Sequence, residues 1–190
     1  MTENPKEELS TSLAKAVEKI FFPTNFMTLG VLLIFVYLRN DETLINSILI
    51  FVISLGVYAI LMSALKGKIS NENKLYLTAG LSVLVLFFLL SFFIKLSRAL
   101  LFGAYSITPV MFIVYVIRSK WKISGHATGF AATCTALSLI DKAFLPLVVF
   151  FPLVAWSRLK LRAHTVPQVA AGTVAGTVLP LLVYFFYKPF

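Results

Sequence analysis

The residues of this sequence that could perform chemistry are concentrated in two basic segments, 118–129 and 157–172. Each segment contains one of the two histidines of the chain, His126 or His164, and each runs into an apolar stretch. Imidazole titrates near neutral pH, so two imidazoles at one site can act as a nucleophile and a general acid. The pattern therefore indicates a transfer reaction carried by two histidines.

The cations of the two basic segments can surround an anion. Arginine offers paired N–H donors to phosphate oxygens, and Ser124 and Gly125 lie at a predicted helix start, where backbone N–H groups can face the same anion. Such a cluster can stabilise a phosphoryl group in transfer to histidine without a metal ion. The candidate cations are Arg118, Lys120, Lys122 and Arg158.

A simpler explanation of these segments stays open from the residues alone. Basic loops beside membrane helices usually anchor the chain to lipid headgroups, and a single histidine at an interface usually has no chemical role. Both histidines, however, occur in basic segments, and His126 directly follows Ser124-Gly125. This combination favours a phosphate site.

Composition restricts the classes of protein further. The 190 residues are 59% hydrophobic and 13% charged, whereas a soluble domain is about 25% charged, so we expect a membrane protein of one domain. One cysteine and two histidines exclude a disulfide framework and a Cys/His zinc site. Residues 73–190 contain 11 Lys and Arg but one acid, Asp141, which argues against a carboxylate-held metal and a two-carboxylate hydrolase.

Apolar runs predict the elements that position the two segments. Because lipid forces each span to satisfy its own backbone hydrogen bonds, we predict an all-α bundle of six or seven transmembrane helices. We expect an amphipathic N-terminal segment at 1–20, N-terminal spans at 21–98 and catalytic helices at 99–190. Gly172 and Gly176 would form a small-residue face for close helix packing. The apolar runs are 26–38, 44–65, 75–94, 99–117, 124–140, 143–156 and 167–187.

The order of the spans predicts that both basic segments lie on one membrane face. Two spans, 124–140 and 143–156, separate the segments and return the chain to the side it left. The excess of Lys and Arg on that face points to the cytoplasm, but the excess disappears if those charges bind substrate, so the side stays open. A nucleic acid is not expected as a partner, because the bases lie in short loops between spans.

Two motifs resemble those of the type 2 phosphatidic acid phosphatase superfamily. Ser124-Gly125-His126 is similar to its Ser-Gly-His motif, and Ser157-Arg158 with His164 is similar to its Ser-Arg-x5-His-x3-Asp signature. The resemblance covers about residues 99–187. It implies an integral membrane enzyme without a cofactor that cleaves a lipid phosphate through a phosphohistidine. The implied roles are nucleophile for His164, general acid for His126, and phosphate binding for Arg158, Ser124 and Gly125.

The sequence departs from the family pattern at three places. The aspartate that orients the nucleophile is replaced by Gln168, whose amide can still accept the imidazole N–H but supplies no charge. The upstream Lys-x6-Arg-Pro motif is absent, and we expect Lys122, then Arg118, to replace it. Ile123 stands where a proline usually precedes Ser-Gly-His.

The form of the second motif favours one substrate class. Residues 164–172, His-Thr-x-x-Gln-Val-x-x-Gly, are similar to the dolichyl-diphosphatase-like branch, so a polyprenyl or dolichyl diphosphate is the preferred substrate. Phosphatidate or phosphatidylglycerol phosphate is the alternative within the same class. A non-catalytic protein that binds or transports lipid phosphates is the alternative outside it. We expect a multi-pass protein of the cell membrane, and its oligomeric state is not predicted.

Overall fold

The computed structural model describes residues 5–188, apart from the side chains at positions 5, 24, 72, 73 and 76. Within that part of the chain every regular element is a helix, which confirms the all-α prediction. The first four residues of the predicted 1–20 segment and the last two of the predicted 99–190 region lie outside it. The helices are α1 (Pro5–Ile20), α2 (Pro23–Tyr37), α3 (Leu44–Leu65), α4 (Glu72–Ser91), α5 (Arg98–Arg118), α6 (Gly125–Ile140), a 3₁₀ helix (Lys142–Phe150), α7 (Phe151–Lys160) and α8 (Val166–Tyr187).

Several helices are suited to crossing a membrane. Four stretches in the described residues are long and apolar enough, namely α3, α5, the combined Lys142–Lys160 and α8, and a fifth results if α1 and α2, bent by 50°, form one span. The apolar part of α4, Leu77–Ser91, is shorter. Helix α6 has 16 residues and is therefore about 24 Å long, against a hydrocarbon core of about 30 Å. Membrane-spanning character is supported, and the count of six or seven stays a prediction.

Helix α6 is the centre of the bundle and packs against α2, α5, α7 and α8. Its contact with α8 is close because two glycines of α8 face it. A Cβ atom added to Gly172 would lie 2.7 Å from the carbonyl oxygen of Ser124, and one added to Gly176 would lie closer still to the carbonyl oxygen of Thr128. The predicted packing face of Gly172 and Gly176 is confirmed, and it brings α8 directly against the start of α6.

The predicted amphipathic helix forms as α1, with acidic residues in its first turn and Lys19 in its last, which suits the helix dipole. It packs against α7 through the side that contains Ala14, which is fully buried. The opposite side exposes an apolar stripe, with Leu9, Leu13 and Ile20 each more than half exposed. Its inner side therefore faces protein, and its outer side has the character of an interfacial helix.

The two ends of the bundle carry different loops. At one end, an ion pair between Glu42 and Lys95 joins the α2–α3 loop to the α4–α5 loop, and the Asn46 side chain donates to the Lys95 carbonyl at 3.2 Å. At the other end, the two basic segments lie side by side, since the Ser124 N–H donates to the Gln168 carbonyl at 3.2 Å. The elements thus bring together the residues that the sequence predicts to act together.

Candidate active site

A tight turn after α7 places His164 beside the end of that helix. The N–H groups of Ala163 and His164 both donate to the Arg158 carbonyl, at 3.1 and 3.3 Å, and the Arg162 N–H donates to the Leu159 carbonyl at 3.0 Å. This is the hydrogen-bond pattern of a Schellman turn, whose left-handed position is usually glycine. Here Arg162 occupies it with φ of 51°, a conformation that costs an ordinary residue about 1 kcal/mol.

Helix α6 begins at Ser124, which is fully buried. Its Oγ accepts the Ala127 N–H at 3.4 Å, and its carbonyl accepts both the N–H and the hydroxyl of Thr128. Its own N–H is already bound to the Gln168 carbonyl. Ser124 therefore fixes the helix start, and the Gly125 N–H, the first of α6, is the backbone donor suited to a ligand.

A hydrogen bond between the two basic segments sets the orientation of His164. Its Nδ1 lies 3.1 Å from the Lys122 carbonyl oxygen. A carbonyl can only accept, so Nδ1 carries the proton and Nε2 keeps the lone pair that a nucleophile needs. Sequence reasoning missed this bond, because every residue has a carbonyl and no residue type signals it.

Gln168 is more engaged with the backbone than the sequence predicts. Its Oε1 accepts the Thr165 N–H at 3.0 Å as part of a capping box with Thr165 at the start of α8. The signal was available, because Thr-x-x-Gln before an apolar run is the spacing of that motif. The Gln168 side chain also raises the pKa of the His164 ring, by less than the Lys122 carbonyl does.

The charge state of His164 follows from its surroundings. Partial burial lowers the pKa of His164 below its usual value and the Arg158 guanidinium lowers it further, while the hydrogen bonds to Lys122 and Gln168 raise it. The net shift is downward, so the imidazole is neutral at pH 7. A neutral ring with a free Nε2 is the form that attacks phosphorus.

His126 and Arg158 present nitrogen atoms that protein does not satisfy. The His126 ring packs edge-on against Phe22, with ring centroids 5.4 Å apart. Arg158 is 5% exposed. His126 Nε2 and Arg158 Nε are both buried without a hydrogen-bond partner in the described part of the chain. Buried polar atoms are rarely left unpaired, so these two nitrogens are available to a polar ligand.

A residue from the far end of the sequence reaches the same arginine. Glu18 of α1 accepts from Arg158 Nη1 at 2.5 Å, and the neighbouring Ser157 hydroxyl donates to the Ala14 carbonyl at 2.9 Å. Sequence reasoning missed Glu18. The available signal was its position on the helix, since it shares with Ala14 the side of α1 opposite Leu9 and Leu13.

The other basic candidates are arranged unequally. The Arg118 Nη1 atom lies 3.9 Å from the point where a Cβ at Gly125 would be, so Arg118 reaches the start of α6. Lys122 contributes its carbonyl, and its charge opposes protonation of His164 by lowering the pKa of that ring. Lys120 is exposed, and no side-chain contact to the site is found for it within residues 5–188. The choice of Lys122, then Arg118, as the replacement for the missing upstream motif stays a prediction.

Comparisons with protein-family models, with curated proteins and with solved structures returned no match. Function must therefore be argued from the geometry of the site.

Proposed function

We propose that this protein is a metal-independent membrane phosphatase that hydrolyses a lipid diphosphate or phosphate through a phosphohistidine. The observation that carries the proposal is that His126, His164 and the buried guanidinium of Arg158 lie close enough to affect one another's charge. Of these groups, His126 Nε2 and Arg158 Nε have no hydrogen-bond partner in the described residues. One imidazole, His164, is held with its Nε2 available. The residues come from the two basic segments, which the hydrogen bond between Ser124 and Gln168 joins.

The arrangement supports a two-step reaction. His164 Nε2 attacks the terminal phosphorus and forms an N–P bond, while the P–O bond to the leaving group breaks. His126 takes up a proton as the phosphate anion binds beside it, and its Nε2 gives that proton to the leaving oxygen as the lipid alcohol or lipid monophosphate departs. Water then attacks the phosphohistidine, His126 takes a proton from that water, and inorganic phosphate leaves with His164 restored.

The N–H donors without a hydrogen-bond acceptor in the described residues are suited to bind the phosphoryl oxygens. Arg158 Nε and the Gly125 N–H are suited to this role, and Arg118 adds charge from the start of α6. A guanidinium matches phosphate oxygens with paired donors, and a helix N-terminus stabilises the same charge. Positive groups that need no rearrangement are the main source of catalysis in phosphoryl transfer.

Placement in a membrane belongs to the same proposal. We place the site at one membrane face of a bundle of six or seven spans in the cell membrane, with the lipid tail in the bilayer. The exposed surface of the bundle is rich in large apolar side chains such as Phe92, Phe93 and Phe186, each at least 80% exposed. A polyprenyl or dolichyl diphosphate is the preferred substrate because of the form of residues 164–172, and phosphatidate is the alternative.

Phosphate release by the purified full-length protein in the presence of EDTA tests the proposal. We expect release from polyprenyl diphosphate, inhibition by vanadate, and a loss of about a thousandfold or more in His164→Ala. Tyr115→Phe, at a half-buried position near the end of α5, serves as the handling control. No release from polyprenyl diphosphate or phosphatidate, or equal release by His164→Ala, would overturn the enzymatic function.

One observation favours a second candidate, a non-catalytic protein that binds or transports lipid phosphates. Among the described residues, the carboxylate at the site is that of Glu18, and it contacts Arg158 rather than His164. The nucleophile therefore has no anionic support for the imidazolium. Saturable binding of the lipid diphosphate without phosphate release would establish this candidate.

A further inference from the structure

Glu18 places a negative charge beside the candidate phosphate site. Its Oε1 lies 2.5 Å from Nη1 of Arg158, the guanidinium that the proposed function assigns to the substrate phosphate. Arg158 Nε beside it has no partner in the described residues. We propose that the Glu18 carboxylate is a built-in competitor for the phosphate site, and that α1 is a lid that must leave Arg158 before substrate binds. This inference rests on the proposed function.

The chemistry of the two anions supports an exchange. Carboxylate and phosphate oxygens both accept charge-assisted hydrogen bonds from guanidinium. A carboxylate on Nη1 leaves the Nε–H unsatisfied, and that donor pairs with Nη2 on another edge of the guanidinium, where a phosphate can engage both. The negative charge of Glu18 repels a phosphate bound at that edge, while the phosphate makes a contact with Nε that Glu18 does not make. The Glu18 contact in turn keeps the buried guanidinium from being left without an anion when the site is empty.

The exposure of the two partners shows which one can move. The Arg158 side chain is 6% exposed, while the Glu18 side chain is 36% exposed. Arg158 is fixed by its helix and by the turn that its carbonyl stabilises. Glu18 lies on a helix whose outer side is more than half exposed at Leu9 and Leu13. The movable partner is thus the carboxylate.

Several contacts hold α1 over the site. Ala14 is fully buried, and its carbonyl accepts the Ser157 hydroxyl of α7 at 2.9 Å. The Glu18 backbone forms a hydrogen bond with the His126 ring, and Phe22, two residues after α1, packs edge-on against that ring with centroids 5.4 Å apart. These contacts lie beside the phosphate-binding residues, so displacement of α1 would uncover Arg158 and the His126 ring together. The lid covers the cation and the general acid at once.

The test compares full-length wild type with Glu18→Gln and Glu18→Ala. The matched control is Glu8→Gln, which makes the same change on an exposed position of α1. Vanadate and inorganic phosphate are the probes, and their dissociation constants are measured by tryptophan fluorescence in detergent alongside the KM for polyprenyl diphosphate. If the closed lid occupies most of the free protein, both Glu18 variants will bind the probes about three- to tenfold more tightly, with KM falling in parallel. Glu8→Gln will match wild type.

The other possible outcomes distinguish the lid from the proposed phosphatase activity. Weaker binding in both Glu18 variants would make Glu18 a residue that positions Arg158, and unchanged binding would make the contact incidental; either result overturns the lid. Hydrolysis by wild type with no change in the variants would refute the lid alone. Tighter phosphate binding in Glu18→Gln without hydrolysis by any variant would refute the phosphatase and keep the lid. Absence of phosphate binding in all variants would overturn both.

Discussion

Helices α6 and α3 are both apolar, yet they are packed in opposite ways. Of the 16 residues of α6, 11 are buried, and most of these are Ala, Gly, Thr or Cys. Of the 22 residues of α3, two are buried, Ser47 and Ile50. Small side chains allow neighbouring backbones to approach α6 on all sides, whereas α3 presents large side chains outward. The candidate site lies at the start of the helix that its neighbours hold most tightly.

This difference in packing matches what the proposed function requires of each helix. Two imidazoles and a guanidinium from separate elements can cooperate only if the elements keep their distances within a fraction of an ångström. Packing of α6 against α8 and α7 provides this for Ser124, His126 and Arg158. Helix α3 needs only to be apolar, and its exposed Ile45, Val52 and Ile60 are suited to lipid contact.

Replacing an arginine at the candidate site and an arginine near the other end of the bundle should give the largest difference in activity. Arg158→Lys keeps the charge but loses the paired donors, so we expect kcat/KM to fall about 10- to 100-fold. Arg98→Lys, at the exposed start of α5 near the other end of the bundle, should leave kcat/KM unchanged. Steady-state phosphate release measures both. Equal activity of the two variants would remove Arg158 from phosphate binding.

Adding a methyl group at the contact between α6 and α8, or in α3, should change the free energy of unfolding in opposite directions. Gly176→Ala pushes a Cβ into the Thr128 carbonyl, so we expect the free energy of unfolding to fall by about 1–3 kcal/mol. Gly56→Ala in α3 meets nothing within 4 Å and should stabilise by up to about 1 kcal/mol through helix propensity. Unfolding in detergent tests the pair, and a lower stability for Gly56→Ala than for Gly176→Ala would contradict the packing described.

Acid should affect the site before it affects the far end of the bundle. Since the pKa of His164 is lowered from 6.5, its nucleophilic neutral form persists at pH 6.5, and kcat/KM should fall about tenfold per pH unit only below the lowered value. Hydrogen bonds to Thr43 lower the pKa of Asp41 from 3.8, so that loop keeps its bonds until pH falls further. A pH profile with circular dichroism measures both. An acidic fall in kcat/KM that already begins above pH 6.5 as the pH is lowered would contradict the environment assigned to His164.

The smallest contrast concerns two helix caps. Ser124 caps α6 and Asn71 caps α4 by accepting the Lys74 N–H at 3.1 Å. Ser124→Ala and Asn71→Ala should each cost about 1 kcal/mol of stability, but only the first should lower kcat/KM, because it loosens the start of α6 beside His126. Thermal unfolding and turnover of the same preparations measure this. Equal loss of activity in both would refute a special role for the α6 start.

Residue types and spacing predicted the helices and the meeting of the two basic segments, because hydropathy and the number of intervening spans determine both. They did not predict the bond from His164 to the Lys122 carbonyl or the contact of Glu18 with Arg158. The first involves a group common to all residues. The second joins residues 140 positions apart and depends on how α1 docks, which local patterns do not determine. Gln168 lies between these cases, since its capping-box spacing is visible in the sequence.

Trapping the covalent intermediate tests the central claim most directly. Full-length protein is mixed with polyprenyl diphosphate labelled at the terminal phosphate, in EDTA, quenched in base to preserve phosphohistidine, and mapped by mass spectrometry. The account predicts label on His164 in wild type, none in His164→Ala, and more in His126→Ala relative to turnover because water is no longer activated. Hydrolysis without label on His164, or label on another residue, would contradict it.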